Sequence, residues 1–220
     1  MSRNLISEED IRGALHRGEK KLEVPPGSII TPLAAEVALA NKVDIVMKTS
    51  PATAPTHEPE VRQVKETSTA GGIVVFGSDH GGFQYKELLK RFVEEMGHKV
   101  LDIGTHNEEP CDYPDFAYAV AIAVSHGEAW RGIMIDGAGI GSSIVANKVP
   151  GVRAACCYNE FAARNSREHN DANVLTLGSR GVGSEACKGI VKIWLETWFS
   201  GGRHAQRVEK ITDVEKRFLK

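Results

Sequence analysis

The residues best suited to chemistry lie in one run, Arg131-Gly-Ile-Met-Ile-Asp-Gly-Ala-Gly-Ile-Gly-Ser-Ser-Ile-Val-Ala-Asn-Lys148. Ile133, Met134 and Ile135 are too few for a helix and too uniformly apolar for a half-exposed strand. They predict a buried parallel strand whose last residue is Asp136. Gly137, Gly139 and Gly141 would let the backbone turn tightly and approach a ligand. A helix opening at Ser142 would aim its free N–H groups at the same spot. Such a loop favours a phosphate or an oxyanion. A structural turn carrying a solvated Asp is the competing reading, because one glycine-rich loop is a weak signal.

Two further groups add to it. Asp79-His80, within Gly77-Ser-Asp-His-Gly-Gly82, sets a carboxylate beside an imidazole that titrates near neutrality, suited to moving protons or gripping a hydroxyl. Arg180, Arg203 and Arg207 offer guanidinium forks for a phosphate dianion. Taken singly, the bland alternatives are a turn with a surface His and solvated charge.

These residues need elements to hold them. From Ile73 onward, apolar runs (73–76, 99–103, 132–135, 152–157 and 173–177) alternate with segments of helical period (83–96, 115–125, 142–148 and 160–167). Leu88, Leu89, Phe92, Val93 and Met96 share one face of the first such helix, as expected of a helix lying on a sheet. Helices over 184–199 and 205–218 close the chain. The pattern predicts an α/β fold, a doubly wound, Rossmann-like five-stranded parallel sheet flanked by helices. In such a sheet ligands bind beyond the carboxyl ends of the strands. The ends of the first, second, third and fifth runs carry Asp79-His80, Gly104-Thr-His, Asp136 with its glycines, and Gly178-Ser-Arg180. The polar residues are therefore expected to gather at one edge.

Residues 1–48 form a smaller unit with Ser7 capping a helix from Glu8, answered by Asp10, and Thr31-Pro32 opening a second helix. Ser28-Ile-Ile is briefly extended between them. A unit this small buries little alone, so a small helical docking or targeting extension is expected. Residues 49–72, rich in Pro, Thr and Ser, read as a flexible linker, and 73–220 as the main domain. Hydrophobic residues make up 41% of the chain, enough for a core. The net charge is −2, with no basic footprint for nucleic acid and no polybasic cluster for a membrane surface. No apolar run reaches the roughly 18–20 residues of a membrane span, and the first residues lack a secretory core, so a cytoplasmic protein is expected. Cys111, Cys156, Cys157 and Cys187 lack the spacing of a zinc site or a disulfide scaffold.

Six motifs in order resemble the ribose-5-phosphate isomerase type B family, which includes galactose-6-phosphate isomerase subunits. They are Gly-Ser-Asp-His-Gly-Gly-Phe, Asp112-Tyr-Pro114, the glycine loop, Glu168-His-Asn-Asp-Ala-Asn-Val-Leu, Gly-Ser-Arg180 and Gly-Gly-Arg203-His-Ala-Gln-Arg207-Val. The resemblance implies an aldose–ketose isomerase of phosphorylated sugars without cofactor or metal. It also implies a homodimer or homotetramer whose sites are completed by a neighbouring subunit. By the same resemblance Asp79 and His80 contact substrate hydroxyls, Tyr113 lines the pocket, His169 helps open the sugar ring and Asn170 binds beside it. Gly137, Ala138, Gly139, Gly141 and Ser142 would hold the enediolate oxygens, and Arg180, Arg203 and Arg207 the phosphate.

The family's usual base is a Cys at the position of Asp136, and in another branch a Glu that falls here on Ser142. This chain has neither. Asp136 is therefore expected to act as the base, or else to mark an inactive, sugar-phosphate-binding or scaffolding homologue. A tetrose or hexose phosphate could replace the pentose phosphate. Leu-Ile-Ser-Glu-Glu-Asp-Ile-Arg, Val-Pro-Pro-Gly and Ile-Ile-Thr-Pro-Leu-Ala resemble N-terminal segments of some bacterial microcompartment enzymes. The Thr-Pro-Leu-Ala helix is also similar to subunit-binding modules of dehydrogenase complexes. Both imply that residues 1–48 dock on a protein, such as a microcompartment shell or cargo protein.

Overall fold

The computed structural model describes residues 4–48 and 71–218. The chain divides into two compact units, one reaching residue 66 and one running from residue 67 to the C-terminus. The expected linker, apart from Gly71 and Gly72, lies outside the described residues.

The N-terminal unit contains β1 (Leu5–Ile6), α1 (Glu8–His16), β2 (Lys21–Val24), β3 (Ile29–Ile30), α2 (Pro32–Ala40) and β4 (Asp44–Met47). The Ser7 N–H donates to the Asp10 carboxylate at 2.8 Å, and the Thr31 hydroxyl accepts from the Ala34 N–H at 3.2 Å, so both helix starts are capped. β1 pairs in parallel with β3, and β2 with β4. A strand–cap–helix–strand segment thus occurs twice, around a core of Ile6, Ile11, Val24, Ala34, Ala38 and Val43, with Ala14 also fully buried. The expectation of a helical extension is corrected to a small α/β unit. β3 falls on the Ser28-Ile-Ile segment read as extended, but the other strands escape sequence reading because Leu5-Ile6 is only two residues long and Lys21-Leu-Glu-Val24 looks like a charged loop until a partner strand is known.

The larger unit runs β5 (Ile73–Ser78), α3 (Phe83–Glu95), β6 (Lys99–Gly104), α4 (Tyr113–Ser125), β7 (Arg131–Asp136), α5 (Ile140–Ala146), β8 (Ala154–Cys156), α6 (Glu160–Asn170), β9 (Val174–Gly178), α7 (Ser184–Glu196) and α8 (Arg203–Phe218). Its sheet is wholly parallel, in the order β6-β5-β7-β9-β8, as the alternation of apolar runs and helical periods predicts. Ile133, Ile135, Leu175 and Leu177 face Leu89 and Val93 of α3 and Ile190, Val191 and Trp194 of α7. On the other face α4 lies so close that a Cβ on Gly132 would stand 2.6 Å from Val120. Both faces are covered, which explains why the strands read as unbroken apolar runs.

One ion cluster is buried with this core. Lys86 of α3, fully buried, donates to both oxygens of Asp102 on β6 at 2.7 Å, and Lys90 adds a third contact at 2.5 Å. Burial alone would raise the Asp102 carboxyl, but the hydrogen bonds and charges of the two lysines outweigh it and hold the group below its ordinary value. A depressed folded-state value stabilises above the unfolded pKa, and that contribution is lost as pH falls through the folded one. Asp102→Asn should cost about 3 kcal/mol at pH 7, because Lys86 is left buried with a weakened partner. Urea midpoints measured from pH 7 downward should show the gap to wild type closing below about pH 4. A gap that stays constant with pH would refute the assignment.

Candidate active site

The chain leaves β5 toward β6 on one side and returns to β7 on the other. The strand order therefore reverses between β5 and β7, and a crevice opens beyond their carboxyl ends. The loop after β5 carries Asp79 and His80, and the loop after β7 carries Asp136 and the glycines. They meet directly: the Asp79 N–H donates to the Ile135 carbonyl at 3.2 Å.

Asp136 ends β7, is buried, and turns its carboxylate back under its own loop. One oxygen accepts from the Ala138 N–H at 2.7 Å and from the Gly139 N–H. The other accepts from the Ser142 N–H at 3.3 Å and from the Ser142 hydroxyl. Four donors fill the roughly four lone-pair positions that a carboxylate offers. The helix opens two residues before the expected Ser142, at Ile140, because Gly139 takes the cap in a left-handed conformation with φ of 78°. That conformation favours glycine, and a Cβ there would lie 2.9 Å from the Leu177 carbonyl carbon. The back of the loop is tied down as well. Thr176 Oγ1 donates to the Gly139 carbonyl at 2.8 Å, and the Tyr158 hydroxyl to the Ala138 carbonyl at 2.6 Å.

Asp79 is buried, and burial, reinforced by the neighbouring Asp136 charge, raises its carboxyl although the Gly82 N–H donates to it at 2.9 Å. The exposed His80 ring accepts at Nδ1 from the Cys111 N–H at 3.3 Å, tying this loop to the segment before α4. Tyr113, the first residue of α4, lies against the start of α5: a Cβ on Gly141 would stand 2.6 Å from its ring. Arg180 follows β9, its N–H bonded to the Gly137 carbonyl at 3.1 Å and its side chain 3.7 Å from where a Gly137 Cβ would be. Ser179 locks this edge through its hydroxyl, which donates to the Gly81 carbonyl at 2.8 Å. Asp79, His80, Tyr113, Asp136, the glycine loop and Arg180 are thus one assembly.

His169, Asn170, Arg203 and Arg207 are elsewhere. α6 runs three residues beyond its expected end, so His169 and Asn170 fall in its last turn, stopped by Asp171 in the left-handed region. Two residues separate Asp171 from the start of β9, which places that turn at the amino edge of the sheet. β9 has five residues, so the two edges are about 16 Å apart. α7 returns to the same amino edge, where Arg131 at the start of β7 holds the Trp194 and Leu195 carbonyls at 2.5 and 3.0 Å, and α8 starts nearby. The rings of His169 and His204 stack there at 4.1 Å. The expectation that the polar residues gather at one edge is corrected: the candidate residues fall into two groups at opposite edges of the sheet. The strand-end rule nominates only the first, because His169, Arg203 and Arg207 sit on helices.

Sequence reasoning also missed Tyr158, Thr176 and Ser179, which hold the loop, and Asn165 and His204, which hold His169. Tyr158 was within reach of the strand-end rule, since it lies two residues beyond β8.

The profile of the Ribose/Galactose Isomerase family matches residues 74–211. The chain is 49% identical over 144 residues to ribose-5-phosphate isomerase B of Escherichia coli, covering 66% of this chain and 97% of that protein. The structure of Clostridium thermocellum ribose-5-phosphate isomerase B is similar with a TM-score of 0.66 and 53% identity, covering 66% of this chain and 99% of that one. The Mycoplasma genitalium ribose-5-phosphate isomerase B, solved with bound ribulose-5-phosphate, matches with a TM-score of 0.63 and 38% identity over 66% of this chain and 96% of that one. The doubly wound sheet, its switch-point crevice and these likenesses define a sugar-phosphate aldose–ketose isomerase. The chain belongs to the ribose/galactose isomerase family, is of the ribose-5-phosphate isomerase B type, and carries an extra N-terminal region of about 70 residues.

Two glycines separate stability from function. A Cβ on Gly178 would sit 2.6 Å from backbone of Ala138, which cannot give way without moving the loop, whereas the nearest atoms to one on Gly141 belong to the exposed Tyr113 ring. Gly178→Ala should destabilise by about 1–3 kcal/mol. Gly141→Ala should cost less than about 1 kcal/mol yet lower activity by displacing Tyr113. Urea unfolding and turnover of both variants check the contrast.

Proposed function

We propose that the protein interconverts ribose 5-phosphate and ribulose 5-phosphate by moving a proton between C1 and C2 through a cis-enediolate. The observation that carries this reading is the carboxylate of Asp136 at the switch point, beneath a glycine loop and beside Asp79 and His80. Asp79 and His80 grip substrate hydroxyls, and Tyr113 forms the wall. N–H groups of the loop at the start of α5 face the enediolate oxygens, where fixed dipoles stabilise developing charge. His169 opens the ring, with Asn170 beside it, and Arg180, Arg203 and Arg207 hold the phosphate, whose remote binding energy orients the reacting carbons.

In this reading Asp136 takes the carbon-bound proton in place of the family's Cys. A carboxylate does this in triosephosphate isomerase, a standard case, once its site excludes water. The Ser142 hydroxyl is the donor that can rotate away without backbone motion, freeing one oxygen as substrate arrives. The saturation of Asp136 by four donors favours a second reading, in which Asp136 only holds the loop and the protein binds a sugar phosphate without turning it over. Solvent proton exchange at C2 of ribose 5-phosphate decides between them, with tetrose and hexose phosphates as companion substrates. Asp136→Asn should bind but lose exchange by about a hundredfold or more. Wild type without exchange, rescued by Asp136→Cys, would establish the second reading.

The opposite-edge placement of the two half-sites supports a homodimer, or a homotetramer built from it, in which each site takes Asp136 from one subunit and His169, Arg203 and Arg207 from the other. Ile140 and Ile144 on α5, and Ile211, Val214 and Phe218 on α8, form exposed apolar stripes suited to such an interface. Mixing inactive Asp136→Asn with inactive Arg207→Ala should restore about a quarter of wild-type activity, since half the dimers are mixed and each has one intact site. No recovery after subunit exchange would mean that each site lies within one chain.

The N-terminal unit docks on a protein partner, with a microcompartment shell or cargo protein in the cytoplasm as the proposed class. Exposed Leu33, Leu39, Val46 and Met47 support this. Deleting residues 1–70 should leave turnover within about twofold of wild type while abolishing co-assembly, because the unit has its own core. Loss of turnover in a folded truncation would overturn it.

A further inference from the structure

His169 has a neighbour for which the proposed reaction has so far had no use. The ring of His204, buried at the start of α8, stacks on His169 with centroids 4.1 Å apart and planes inclined by only 6°. Each ring is also fixed in its own plane. Asn165 Nδ2, one helical turn before His169, lies 2.9 Å from His169 Nδ1. An amide nitrogen only donates, so Nδ1 accepts and the proton of the neutral ring sits on Nε2. Arg203 Nε donates to His204 Nε2 at 3.4 Å, which places the His204 proton on Nδ1. His169, with Nδ1 against the Asn165 amide, and His204, with Nε2 against Arg203, therefore lie face to face.

The charges around His204 favour its neutral form. Arg203 and Arg207 on α8 are both cationic, Glu168 on α6 is acidic, and His169 itself faces His204. Burial, then His169, Arg203 and Arg207, lowers the His204 imidazole below its ordinary value, against a weaker opposing pull from Glu168. Protonating His204 would set a cation against its stacked neighbour and the two guanidinium groups. With Nδ1 engaged by Asn165, His169 has Nε2–H left to donate.

We propose that His204 is a positioning residue for ring opening: as a stacked platform it holds His169 in the plane and tautomer from which Nε2–H can protonate the furanose ring oxygen. Nε2–H passes its proton to O4 as the C1–O4 bond breaks with its electron pair going to O4, and Nε2 takes back the proton of the C1 hydroxyl as the aldehyde forms, so His169 ends as it began and charge balances across the step. The inference rests on the reading of His169 as the ring-opening group. Because both rings belong to one chain, they enter a site together whichever subunit supplies Asp136.

The test separates ring opening from enolisation. Ribulose 5-phosphate has its 5-hydroxyl esterified and no ring to open, so exchange of its C1 protons with deuterium oxide reports enolisation alone. His204→Ala should lower conversion of ribose 5-phosphate by about 10- to 100-fold while leaving C1 exchange within about threefold of wild type, and His204→Phe, which keeps the platform, should recover most of the conversion. Equal loss of both activities in His204→Ala would show a merely structural role and overturn the inference. His169→Ala is the control for the underlying reading. If it keeps conversion, that reading fails. If it loses conversion selectively while His204→Ala does not, the reading stands and the inference falls. Long-range 1H–15N spectra of the free enzyme give a check independent of turnover: His169 is expected as the Nε2–H tautomer, and the Nδ1–H tautomer would overturn the proposal.

Discussion

A carboxylate at the end of a buried strand must find donors or remain uncompensated, and Asp136 finds them in the loop that follows it. Its oxygens gather the N–H groups of Ala138, Gly139 and Ser142 with the Ser142 hydroxyl, so one side chain fixes the turn out of β7, the left-handed cap at Gly139 and the first turn of α5. A thiolate or thiol in that place has one sulfur and longer, weaker hydrogen bonds, and would leave more of those donors to a ligand. The carboxylate therefore trades loop rigidity against anion affinity: the N–H groups that hold Asp136 are withdrawn from substrate oxygens. Donors not held by Asp136, at Ile140 and Gly141 in the first helical turn, lack intrahelical acceptors and can serve instead.

The same logic sets the rest of the carboxyl edge. Asp79 and Asp136 are neighbouring acids, and their mutual repulsion adds to the burial that raises Asp79. Two carboxylates held this close in a partly buried crevice repel one another, and hydroxyl donors between them would relieve the repulsion. The guanidinium groups that could offset this negative charge are mostly not at hand. Of the three candidate arginines, Arg180 borders the loop, while Arg203 and Arg207 lie with His169 at the other edge of the sheet. The two groups of candidate residues are therefore separated by the length of a strand, which is the observation on which the proposal of a shared, two-subunit site rests.

How much of this was legible in the sequence depended on whether a residue's role was local. Asp136 was readable as a strand end because Ile133, Met134 and Ile135 are too short a run for a helix and too uniformly apolar for a half-exposed strand. Ser7 and Thr31 announce their helices because capping is a matter of three or four residues. The division of the site was not legible, because it depends on which edge of the sheet a helix end reaches. Glu168-His-Asn ends a helix and Gly178-Ser-Arg ends a strand, yet as strings both read as polar punctuation. The His169–His204 stack was invisible for the same reason, as its members are 35 positions apart on different helices. Parallel pairing of two-residue strands was hidden too, since Leu5-Ile6 and Ile29-Ile30 carry no period at all.

The repeated segment at the N-terminus carries the argument one step further. A single strand–helix–strand of about 20 residues has too little apolar surface to close a core. Two copies in parallel register, Leu5 beside Ile29 and Lys21 beside Asp44, share one, and Ala14 and Ala38 are buried at matching places in the two helices. Closing the core asks nothing of the outward positions, so the copies are free to differ there, and they do. Glu9 of the first helix corresponds to Leu33 of the second, and Glu23 pairs with Val46; all four face solvent in the unit by itself. A fold that needed only solubility would have no reason to exchange acid for aliphatic residues on one copy alone. The difference marks the second copy, α2 with β4, as the face whose apolar surface folding leaves unsatisfied.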